Sequence, residues 1–140
     1  SRLVSASFDS TARVWALQND ENGPTLINTH TLYGHVERVY SAVWTDNGNR
    51  IITTDAGGWV NVWDVSTSSA QELRGIPGHA DDVLQVALSP DGEKFVSVDI
   101  FGHAKVWWTW ETTEDFVNFA QECCATRMLS PAERVEFGLQ

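Results

Sequence analysis

Three stretches of this chain align without a gap, and each ends in or just after the same Val-Trp pair. They are LVSASFDSTARVWA (Leu3 to Ala16), IITTDAGGWVNVWD (Ile51 to Asp64) and FVSVDIFGHAKVWW (Phe95 to Trp108). The second and third are each preceded by another matching stretch, GHVERVYSAVWTDNGNR and GHADDVLQVALSPDGEK. His35 lies 28 positions before Trp63, and His79 lies 28 before Trp107. Recurrence at a fixed long spacing marks a modular fold, in which one small unit is repeated and neighbours cover each other's apolar faces.

The unit is built from short strands. Val39, Ser41 and Val43 alternate with Tyr40, Ala42 and Trp44, and Val83 to Leu88 is an apolar run of strand length. Asp46-Asn47-Gly48-Asn49 and Pro90-Asp91-Gly92-Glu93 carry turn chemistry between strands. Thr25 to Leu32 and Ala70 to Leu73 are predicted as fourth strands, with Gln18 to Pro24 a polar loop. After Trp110 the period changes. Phe116, Phe119, Ala120, Cys123 and Arg127 fall on one face of a helix, and Ser130-Pro131-Ala132-Glu133 has the pattern of a capping box opening a second.

Charge excludes several partners. The chain holds 19 Asp plus Glu against 9 Lys plus Arg, a formal net charge of −10. Phosphate binding needs clustered cations, so nucleic acid is not an expected partner. No apolar run approaches the ~20 residues of a membrane span, so no membrane partner is expected either. Cys123 and Cys124 are adjacent and have no others to pair with, which predicts a reducing, cytoplasmic setting. The chain opens on Ser1 and its only methionine is Met128, so it is expected to be part of something longer.

The G-H, S-P-D-G, S-x-S-x-D and V-W-D elements together resemble the WD-repeat β-propeller family, over roughly Arg2 to Trp108. The resemblance implies an all-β fold of four-stranded blades. It also implies a hydrogen-bonded group in each blade: tryptophan indole to strand hydroxyl, hydroxyl to the histidine of G-H, histidine to a turn aspartate. The hydroxyl is present as Ser5, Thr53 and Ser97, before Trp15, Trp63 and Trp107. The aspartate six positions before tryptophan is present only as Asp9. The other two repeats carry Asp55 and Asp99 two positions earlier, on the same strand face as Thr53 and Ser97. Those carboxylates are expected to reach His35 and His79 directly.

On this reading residues 1–110 form a partial propeller of about 2.5 blades (segments 1–33, 34–77 and 78–110), followed by a helical tail at 111–140. The tail, through Ala120, Cys124, Arg127, Leu129, Ser130, Pro131 and Glu133, is similar to the ending of bacterial multidomain WD-repeat chains. Such chains carry nucleotide-switch or effector modules upstream. An arc cannot close alone, so the ring is expected to be completed by blades preceding this segment or by other copies.

No catalytic or metal site and no cofactor is expected. His30 with His35, and His103 with the cysteines, lack zinc-ligand spacing. Gly57-Gly58 lacks the lysine and hydroxyl of a phosphate loop, and the Asp81-Asp82 pair reads as solvated. The candidate protein-binding residues are Phe8, Arg38, Trp59, Asp82, Ile100 and Phe101, large or charged groups expected on the face where the G-H loops and the strand-to-strand turns emerge. The expected function is a non-catalytic interaction or sensor module in a larger, bacterial chain. The alternative is a propeller that packs on and inhibits a catalytic domain of the same chain.

Overall fold

A computed structural model describes residues 1–21, 23–45 and 48–109. The described residues form ten strands: β1 (Arg2–Ala6), β2 (Ala12–Asp20), β3 (Gly23–Leu32), β4 (Val39–Trp44), β5 (Arg50–Asp55), β6 (Trp59–Asp64), β7 (Gln71–Pro77), β8 (Val83–Leu88), β9 (Lys94–Asp99) and β10 (Ala104–Trp108). They pair as three antiparallel sheets, β1-β2-β3, β4-β5-β6-β7 and β8-β9-β10. These are the three blades. The two tail helices, with Cys123 and Cys124, lie outside the described residues.

Strand alternation sends side chains to both faces of the middle blade. Ile51, Trp63 and Val65 pack against Ala12, Val14 and Leu32 of the first blade. Ile52, Val60 and Val62 pack against Val83, Val86 and Phe95 of the third. Each seam is therefore its own apolar core. This is why β5 and β6 are buried along nearly their whole length, as strands covered on both faces are.

The same register leaves the end blades half covered. Val106 occupies in β10 the place that Val62 occupies in β6, yet Val62 is 7% exposed and Val106 is 69%. Leu3 likewise matches the buried Ile51 but is exposed. Among the described residues no blade packs on these outer faces.

Two local expectations are corrected. Gln18 to Pro24 is not a loop: β2 continues through Asp20, which pairs with Gly23 at the start of β3. Backbone pairing extends this hairpin although its side chains are exposed, so no apolar pattern marks it. The outer strand of the middle blade runs to Pro77 and not merely to Leu73. Gly75 and Pro77 look like strand breakers, but an edge strand leaves one side of its backbone unpaired and tolerates them.

The turn before each tryptophan strand holds one residue in the left-handed region. These are Ser10 (φ 64°), Gly58 (φ 81°) and Gly102 (φ 84°), each five positions before its tryptophan. A serine there carries a Cβ penalty of ~1–2 kcal/mol, partly offset by the greater freedom of an unfolded glycine. Ser10→Gly is expected to raise stability by about 0.5 kcal/mol, read as a higher urea midpoint. An unchanged or lower midpoint would contradict this account of the turn.

Candidate functional site

The polar interior of each blade runs from the tryptophan inward. In the middle blade Trp63 Nε1 donates to Thr53 Oγ1 at 2.7 Å. Thr53 Oγ1 lies 2.6 Å from His35 Nε2, and His35 Nδ1 lies 2.6 Å from Asp55 Oδ2. A carboxylate only accepts, so Nδ1 carries the proton and Nε2 accepts from the threonine hydroxyl. Every group in this chain of bonds is buried and satisfied. Asp55 Oδ1 also accepts from the backbone N–H groups of Gly57 and Trp59, which fastens the β5–β6 turn.

The third blade repeats the arrangement with one change. Trp107 Nε1 donates to Ser97 Oγ at 2.7 Å, and Ser97 Oγ lies 2.7 Å from His79 Nε2. Asp99 Oδ2 is shared between His79 Nδ1 at 3.3 Å and His103 Nδ1 at 2.9 Å. His103 stands where the middle blade has Trp59, so this second histidine has no counterpart there. In the first blade Trp15 Nε1 donates to Ser5 Oγ at 2.9 Å. Asp9 turns instead to the Thr11 hydroxyl and the Arg13 guanidinium, both at 2.6 Å, and these bonds hold its pKa well below the ordinary value.

The glycine of each G-H pair lets the tryptophan ring lie against the backbone. A Cβ on Gly78 would stand 2.8 Å from the Trp107 ring, and one on Gly34 would stand 3.1 Å from the Trp63 ring. His30 makes no pair with His35, because its Nε2 faces the Thr67 carbonyl at 2.8 Å. No group of three or more metal-ligating side chains forms among the described residues.

Burial pushes the Asp99 pKa up. The N–H groups of His103 and Phe101 and the two histidine rings together outweigh it, leaving a value of about 2 against an ordinary 3.8. A carboxylate depressed on folding stabilises the fold above its unfolded pKa, and that contribution is lost as pH falls through the folded one. Stability is therefore expected to decline between about pH 4 and pH 2, less steeply in Asp99→Asn. Acid titrations of equal slope in the two proteins would contradict it.

At the ends of the strands the turns and the G-H loops meet. Phe8 of the β1–β2 turn sits edge-on to Tyr40 with centroids 5.5 Å apart, and the Arg38 guanidinium lies 5.4 Å above the Phe8 ring. Tyr40 donates its hydroxyl to Asp82 Oδ2 at 2.9 Å, and Asp82 O accepts from the Ile100 N–H at 2.9 Å. The carboxylate bond raises the Tyr40 pKa. Phe8, Arg38, Asp82 and Ile100 thus belong to one path crossing all three blades, and Phe101 follows, exposed, beside His103. Tyr40 completes this path and was missed by sequence reasoning, which treated it only as one position in an alternating strand. Trp59 is separate: it is exposed and lines a cavity of about 390 Å³ with Gly34, Val36, Glu37, Asp55, Gly57, Asn61 and Glu72.

Comparison with known proteins agrees with this architecture. The family model "WD domain, G-beta repeat" matches residues 27–64 and 70–107. Cell division control protein 4 of Candida albicans is 33% identical over 89 residues, 64% of this chain and 12% of that protein. Coronin-7 of Mus musculus is 30% identical over 108 residues, 76% of this chain and 12% of that protein. The chain therefore spans about an eighth of the length of these relatives. The solved C-terminal WD40 domain of Sif2 superposes with a TM-score of 0.63 at 22% identity, covering 76% of this chain and 30% of that one. Repeat, blade and indole–hydroxyl–histidine–carboxylate group coincide, and the chain belongs to the WD-repeat β-propeller family.

Proposed function

We propose that this chain is a non-catalytic protein-interaction module whose contact surface is the turn face carrying Phe8, Arg38, Tyr40, Asp82, Ile100 and Phe101. The observation that carries the reading is the path from Phe8 to Ile100, which spans three blades yet leaves Phe8, Ile100 and Phe101 exposed. Exposed aromatics on a rigid frame are the groups that dominate protein–protein contacts. WD repeats build interaction and scaffold modules, and the chemistry of this face is consistent with that role.

Ring completion belongs to the same proposal. The exposure of Leu3 and Val106, at places buried in the middle blade, supports further blades covering both end faces. A larger parent with an upstream switch or effector domain and a cytoplasmic setting are part of the same proposal. The relatives named above are eukaryotic, so the bacterial source expected from the tail has no support from them.

The test is selection of peptides from a phage-displayed random library on the immobilised chain. Phe8→Ala with Phe101→Ala is expected to weaken the retained peptides at least about tenfold, with an unchanged melting curve. Retained peptides that bind the double variant equally well would overturn the proposed face.

A further inference from the structure

The outer strands of the first two blades hold the same place in the fold but differ in chemistry. β3 and β7 each end their sheet, so each has one edge that is unpaired among the described residues. β7 is guarded: Glu72 and Arg74 put charge on it, and Gly75 and Pro77 interrupt it. Such features keep an edge from pairing with another chain. β3 runs ten residues, GPTLINTHTL, without one Asp, Glu, Lys or Arg, and Pro24 to Thr29 are exposed. It is an uncharged edge on a chain whose net charge is −10.

The backbone shows which groups this edge offers. Leu17 N–H donates to the Ser1 carbonyl, so the Leu17 backbone turns away from β3. Ala16 and Gln18, on either side of it, therefore turn theirs toward β3, where they face Ile27 and Thr25. Leu26 and Asn28 are left with N–H and C=O pointing outward. Pro24, the outward position before them, has no N–H to give. Beyond Asn28, the bulge opposite Val14 and Trp15 breaks the alternation. The usable edge is thus short and centred on Ile27.

That symmetry selects the occupant. Let a second copy of the strand lie antiparallel, with the two-fold axis at Ile27. Leu26 then stands opposite the copy's Asn28, and Asn28 opposite the copy's Leu26. Each of these pairs exchanges two backbone hydrogen bonds. Moving the axis to Leu26 would set Asn28 against Pro24 and lose a bond at each end. With the axis at Ile27, isoleucine meets isoleucine, and no charge on the strand meets its like.

We propose that β3 is a self-pairing edge through which two copies of this protein associate, joining the two β1-β2-β3 sheets into one six-stranded sheet. The contact is isologous and closes as a dimer. It is small, so its Kd is on the order of 10–100 µM. It uses no residue of the turn face and neither Leu3 nor Val106, so it is independent of the interaction reading.

The test is sedimentation equilibrium of the complete protein over concentrations that span this Kd, where a reversible monomer–dimer equilibrium is expected. Ile27→Lys sets two ammonium groups opposite each other on an exposed strand. It is expected to weaken the dimer at least about tenfold with an unchanged melting curve. Ile27→Cys is expected to give a disulfide-linked dimer on air oxidation, above any formed by the unsubstituted protein. The two Cα atoms of that pair would lie about 4.5 Å apart. Leu26→Cys is the control: its Cα would lie more than about 7 Å from its own copy, too far to bridge. A monomer throughout, a dimer that Ile27→Lys leaves intact, or equal linkage of the two cysteine variants would each overturn the inference.

Discussion

Asp55→Ala is expected to lower stability by about 3 kcal/mol, a large share of the 5–15 kcal/mol that holds an ordinary domain together. The carboxylate has three donors: the His35 ring at 2.6 Å, Gly57 N–H at 2.9 Å and Trp59 N–H at 3.0 Å. Alanine removes the acceptor and leaves His35 Nδ1–H buried with nothing to bind. The two backbone groups sit in an exposed turn, where water replaces part of the loss, so the histidine dominates. Asp55→Asn separates the contributions. Its oxygen can still serve both backbone donors, but its NH2 would face His35 Nδ1. The imidazole must then move its proton to Nε2, and the Thr53 hydroxyl must accept from both the histidine and Trp63. The expected loss is about half that of alanine, measured by urea denaturation. Equal losses would show that the turn bonds contribute nothing. A loss below about 1 kcal/mol in Asp55→Ala would remove the network from the account.

Gly58→Ala is expected to cost a similar amount for an unrelated reason. Gly58 has φ 81°, and a Cβ there would stand 2.3 Å from the carbonyl oxygen of His79 and 3.0 Å from its carbonyl carbon. The obstacle is backbone, so no side chain can swing aside. The Gly58 carbonyl also accepts from the N–H groups of Gly78 and His79, joining the β5–β6 turn of the middle blade to the loop that opens the third. Relief of the clash must stretch that seam. Left-handed strain of ~1–2 kcal/mol plus overpacking of similar size gives about 3 kcal/mol. Gly102→Ala is the control. It has nearly the same φ, 84°, but nothing within 4 Å of its Cβ, so only the strain remains. Equal destabilisation in the two variants would mean that the close approach to His79 carries no weight.

The contrast between the two turns shows what the sequence could reveal. Features repeated in register were legible. The Val-Trp ends, the hydroxyls ten positions earlier and the G-H histidines fall at fixed offsets, and the fold brings them within hydrogen-bond distance. The shifted aspartates were legible too, because an offset of two keeps a strand residue on the same face. Contacts between blades had no such offset. Tyr40 reaches Asp82 and Phe8 only because the sheets are packed side by side, and no pairwise spacing along the chain announces that. The same holds for the cavity, where Glu72 on the outer strand meets Asn61 and Gly34. The long β2–β3 hairpin failed to show for another reason. Its outer part is exposed on all sides, so there was no buried face to imprint an alternation.

In the proposed ring the two end faces are blade seams and the turn face is the free one. Hydroxyl-radical footprinting of the complete protein in solution measures both at once. The account predicts that Leu3 and Val106 are protected to the same degree as Ile51 and Val62, while Phe8, Ile100 and Phe101 label strongly. Leu3 and Val106 labelling as heavily as Phe8 would contradict it.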